Sequence, residues 1–179
     1  MGSHFLTLYA VPLNKLAAIV GSKDVTKLAA LGIAEDAEDG PYIEQLIQGN
    51  YSRDPETLES EFGGPLVRAL DALCKKTADA EVTLELYDDP EVTPELWNFI
   101  WSEWEPHDPL KLPLCSDGAP NVTYKDSNAA AVWLKQFEAV KKSGGYDMNN
   151  MDPDDLATLI QFLQDIVKQS SGVFAFIEY

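Results

Sequence analysis

The densest mixture of aromatic and ionisable side chains in this chain is Trp97, Trp101, Glu103, Trp104, Glu105, His107 and Asp108. Spacings of four and three put Trp97, Trp101 and Trp104 on one helical face. Indoles beside carboxylates could stack on a sugar ring, hold a cation, or anchor a protein interface. The ordinary alternative is packing, because an aromatic stripe at helical spacing usually faces a core. Paired carboxylates for glycoside hydrolysis cannot be assigned here, since acid and nucleophile need a separation in space that spacing along the chain does not define. Glu105 and Asp108 flank His107 between Pro106 and Pro109. At a wet site they favour imidazolium and raise its pKa. No serine or cysteine is marked as its partner, so a structural role is expected of His107, and no catalytic residue is assigned.

Other chemistries lack their signatures. No phosphate-binding glycine loop of either standard spacing occurs, which removes the motifs of nucleotide hydrolysis and dinucleotide binding. The run Asp147-Met148-Asn149-Asn150-Met151-Asp152 fails as a calcium loop. Met151 falls on a ligand position, Asp152 replaces the required glycine, and Thr158 stands where a bidentate glutamate belongs. Asp152, Asp154 and Asp155 read instead as cap and dipole residues of the following helix. Cys74 and Cys115 have neither the number nor the spacing of a zinc site or a disulfide framework, and read as buried or half-buried thiols. Asn50-Tyr51-Ser52 and Asn121-Val122-Thr123 match the glycosylation sequon, but without a secretion signal they are chance matches. No cofactor or metal is expected.

Charge is the strongest compositional feature: 13 basic and 30 acidic residues give −17. Residues 35–61 hold one basic and nine acidic residues, and 79–108 hold ten acidic residues and no basic one. Such a field repels nucleic acid and anionic membranes and steers a basic partner toward the surface. No apolar run approaches the roughly 18 residues of a membrane span. The start of the chain lacks a basic segment followed by an apolar one, so a cytoplasmic protein without a signal peptide is expected.

The elements that must position these residues follow from periodicity. At 179 residues and 45% hydrophobic, the chain is long enough for one substantial core. Met1-Gly2-Ser3-His4 reads as a cloning scar, leaving 5–179 as a single domain. Val173 to Tyr179 and Phe5 to Val11 are apolar on both alternating sets and predict adjacent strands buried on both faces, with 173–179 interior. Residues 82–87 alternate cleanly and predict a strand with one wet face near the sheet edge. About seven helices surround them. Pro12 and Ser22 are placed to start a helical hairpin closed by Gly21 and Gly32, and a third helix runs from Pro41 to Ile47 before Gly49. Further starts are expected at Asp54-Pro55, after Gly63-Gly64-Pro65, at Thr93-Pro94, at Ser127 and at Asp152-Pro153. A proline-rich connector spans 106–120, with room for a short strand at 111–115.

Leu8-Tyr9-Ala10-Val11-Pro12-Leu13 with Val20-Gly21-Ser22, the helix Ala69-Leu70-Asp71-Ala72-Leu73-Cys74, and the short aromatic last strand resemble an uncharacterised bacterial family of unknown function. That resemblance implies no activity and transfers no functional residue. The expectation is therefore an α+β domain and a non-enzymatic acidic protein that binds a basic protein partner, as immunity or antitoxin proteins do. The rival expectation is an enzyme or small-molecule binder with an aromatic and acidic pocket near residues 97–108.

Overall fold

Apolar side chains on both alternating sets force the two terminal strands between layers, and that is where they lie. A computed structural model describes residues 3–33, 38, 40–51, 63–87, 110, 112, 122–143 and 153–178. In chain order these form β1 (Ser3–Val11), α1 (Leu13–Ala17), α2 (Thr26–Ala30), α3 (Gly40–Gln48), α4 (Gly63–Thr77) and β2 (Ala80–Tyr87). β3 (Val122–Lys125), α5 (Ser127–Ser143), α6 (Pro153–Gln169) and β4 (Gly172–Glu178) complete them. The strands make one antiparallel sheet in the order β2-β1-β4-β3, so the first and last strands are adjacent and β2 is an edge. The α+β reading holds, with six helices among the described residues. Two expected helices, opening at Asp54-Pro55 and Thr93-Pro94, lie outside them, as does Cys115.

The register assigns each face its own core. Leu8 lies opposite Ala175, and Leu6 opposite Leu84. These side chains meet Phe137 of α5 and Leu156, Leu159, Leu163 and Ile166 of α6. On the other face Tyr9 lies opposite Phe174, and Val122 opposite Phe176. They meet Leu16 of α1, Leu28 of α2, Ile43 and Leu46 of α3, and Leu70, Leu73 and Cys74 of α4. The result is a sheet between two helical layers. Stripes at i, i+3 and i+4 account for every one of these longer helices.

Three local details differ from the sequence reading. The start of α2 is held by Asp24 rather than Ser22: its Oδ1 accepts from the Thr26 amide at 3.2 Å and the Thr26 hydroxyl at 2.6 Å. Likewise Asp126, not Ser127, caps α5 by accepting from the Ala129 amide at 2.7 Å. An ionised carboxylate is the stronger acceptor for an orphan helix N–H. Asp126→Ala should therefore cost about 1 kcal/mol in urea unfolding, and Ser127→Ala about 0.5 kcal/mol or less; equal losses would return the cap to Ser127. The third detail is β3, which sequence reading left unassigned. Four residues are too few to show a period, and pairing with β4 alone makes this segment a strand.

Candidate functional site

All seven residues singled out for binding, Trp97, Trp101, Glu103, Trp104, Glu105, His107 and Asp108, lie outside the described residues. Charge remains legible. Of the total of −17, residues 35–61 hold one basic and nine acidic side chains and residues 79–108 hold ten acidic and no basic ones.

A cleft lies between the α2 region and the start of α3. Val25, Thr26, Leu28 and Ala29 of the α2 region face Ile33, Gly40, Pro41 and Glu44 across about 470 Å³. That volume falls within the ~300–1,000 Å³ usual for ligand clefts. Its walls are set by backbone hydrogen bonds. The Gly21 amide donates to the Leu46 carbonyl at 2.8 Å and the Lys23 amide to the Ile47 carbonyl at 2.9 Å, so the turn between α1 and α2 satisfies the last carbonyls of α3. Gly21 has φ +70°, and its Cα would lie 3.5 Å from a β-carbon at Gly49, which has the same φ. The positive φ, rather than the ordinary 3.5 Å contact, favours glycine at both positions.

The described charged groups around the cleft are of both signs, Asp24, Glu38 and Glu44 beside Lys23, Lys27 and Arg68. Glu44 is the only charged lining residue among those described, and its Oε1 accepts from Gln48 Nε2 at 2.6 Å. Asp24 is held below the ordinary carboxyl range, first by the Thr26 hydroxyl and then by the Thr26 amide and nearby Lys27. The Lys27 ammonium donates to the Ala18 carbonyl. Glu38 accepts from Arg68 of α4 at 3.1 Å, in a pair too exposed to contribute much stability. Val25, at 46% exposure, is one of three large hydrophobic residues left open among the described ones. Sequence reasoning noted the acidic run 35–39 but missed the cleft. The available signal was Ile33 and Pro41, apolar residues bracketing that run.

A second polar cluster sits inside the frame. The Tyr9 hydroxyl, 2% exposed as a residue, donates to Asp71 of α4. Burial raises the phenol pKa far above its ordinary value, and the bond to Asp71 raises it further. Burial likewise pushes the Cys74 thiol up, with help from Asp71. At the surface, outside this cluster, Lys15 pairs with Asp79 at 2.6 Å. A phenol that stays neutral and a thiol that stays protonated are poor nucleophiles, so this cluster reads as a tether of α4 to β1.

The tether has a pH signature. Because the folded-state pKa of Tyr9 is raised, its contribution to stability is complete below the unfolded value near 10 and is lost as pH rises above it. Tyr9→Phe should flatten the alkaline limb of the stability curve relative to wild type. At neutral pH it should cost about 1–2 kcal/mol through the lost hydrogen bond to a charged group. Unfolding midpoints at pH 7 and at about pH 10.5 would check this; parallel curves for the two proteins would refute the assignment.

Among the described residues, no three His, Cys, Asp or Glu side chains are grouped to hold a metal, and no helix is long and apolar enough to cross a membrane. No family model, curated protein or solved structure matches the chain.

Proposed function

We propose that this chain is a non-enzymatic acidic protein that binds a basic protein partner, in the manner of an immunity or antitoxin protein acting in a bacterial cytoplasm. The observation that carries the reading is the charge itself: −17 in total, with nine acidic residues and one basic in 35–61 and ten acidic and no basic in 79–108. Like charges in such excess repel one another and oppose compaction, so they contribute nothing to folding. They do raise the on-rate of a cationic partner and suppress binding of anions.

The test is capture by the tagged full chain from its host at about 50 and 300 mM salt, followed by reconstitution from purified components. A prey rich in Lys and Arg is expected, with an association rate that falls at least tenfold between the two salts while dissociation changes less. Recovery of no basic protein at either salt, or a complex whose association ignores salt, would count against the proposal.

A further inference from the structure

We infer that two inward polar residues of β3, Thr123 and Lys125, end the sheet: they are kept at a cost in stability so that this edge does not pair with the β3 of a second copy. Among the described residues β3 pairs with β4 alone, in a register of four residues that has neither a bulge nor a proline. Such an edge offers unpaired N–H and C=O groups to any extended chain. All four of its side chains are buried, so none of them can repel a neighbour through an exposed charge. The opposite edge differs. β2 has Glu81 and Glu85 at positions on one side of the strand, where two copies pairing would set acid against acid.

The register places the four side chains. Val122 and Tyr124 lie opposite Phe176 and Phe174 and join the core shared with α1 to α4. Thr123 and Lys125 lie opposite Ala175 and Val173, which belong to the core shared with α5 and α6. A strand selected for stability alone would carry apolar residues there. Instead Thr123 is 1% exposed, with a hydroxyl oxygen that has no hydrogen-bond partner, and Lys125 is 5% exposed, though engaged.

No local duty accounts for either residue. Asp126 supplies the cap of α5, and the packing of Tyr124 against Gly172 and Phe174 uses the other face. An unpaired hydroxyl loses its hydration without return, and a buried ammonium loses more. What the pair does supply is a penalty on extension. A strand laid beyond β3 would cover the little of Lys125 still exposed and complete the desolvation of its charge, whereas an apolar side chain would gain from the same cover. Thr123 interrupts what would otherwise be an apolar β-forming run of the kind that pairs with its own copies.

Two variants test the guard. Thr123→Val keeps the shape and removes the unpaired hydroxyl, so its unfolding equilibrium constant in urea should be at least fivefold lower than that of wild type. Thr123→Val with Lys125→Met makes the inward side of β3 apolar. In sedimentation velocity at about 5–200 µM protein and about 300 mM salt, where the acidic charge is screened, this double variant should form larger species than wild type. Its unfolding midpoint should be no lower than wild type's, and amide exchange in the associated species should show added protection at 122–125. Stability unchanged or lowered in Thr123→Val would mean that the hydroxyl is not a cost, and would overturn the assignment. So would a double variant no larger than wild type at the highest concentration, association accompanied by lost stability, or protection confined to other segments. If the double variant does not fold, Thr123→Val decides alone: it must be both more stable than wild type and larger at the highest concentration, or the guard is refuted.

Discussion

Phe174→Ala is expected to destabilise the protein by about 3–5 kcal/mol, the largest loss among single substitutions considered for this fold. Phe174 is 0% exposed on the interior strand β4, in the core formed with α1 to α4. Its ring lies 4.8 Å from that of Tyr124 on β3 and it pairs across the sheet with Tyr9 on β1. Truncation would remove contacts to both neighbouring strands at once and leave a cavity that a sheet held on either side cannot close. Against a total stability of about 5–15 kcal/mol, that loss approaches unfolding for a marginal domain. Chemical denaturation with the slope held in common would measure it. A loss below about 1 kcal/mol would mean that this core can collapse around the gap, contrary to its position between two paired strands.

Gly172→Ala should cost about 2–3 kcal/mol by the opposite mechanism, overpacking. A β-carbon at Gly172 would lie 2.4 Å from Tyr124 Cε2, 2.6 Å from its hydroxyl oxygen and 2.8 Å from Cζ. The tyrosine ring covers the glycine across the β3–β4 pair, and it is itself 7% exposed and packed on Phe174. Space, not backbone conformation, demands glycine here. Moving the ring would disturb the same cluster that Phe174 anchors. The decisive measurement is a double-mutant cycle with Tyr124→Ala. In that background Gly172→Ala should cost about 0.5 kcal/mol or less; an unchanged cost would show that the clash with Tyr124 is not its origin.

The sequence by itself determined the elements whose signal is periodic. Apolar residues on both alternating sets of 5–11 and 173–179 marked two strands covered on both faces, and both sit in the interior of the sheet. The polar and apolar alternation of 82–87 marked an edge, because an edge strand beside an incompletely covered face can leave one side wet: Thr83 is exposed and Leu84 buried. Stripes in α4, α5 and α6 predicted which residues reach the cores, since a helix must bury one face to be stable. Net charge was legible too, being a property of composition.

Tertiary structure alone decided what depends on residues far apart in the chain. β3 is a strand because β4 is beside it, and no local pattern of four residues can specify that. Asp24 and Asp126 displaced the serines expected as caps, through side-chain geometry that a list of favourable residue types does not distinguish. The bond from Tyr9 to Asp71 joins positions 62 residues apart, and the need for glycine at 172 comes from a ring at 124. The cleft arises because the amides of Gly21 and Lys23 dock on the end of α3.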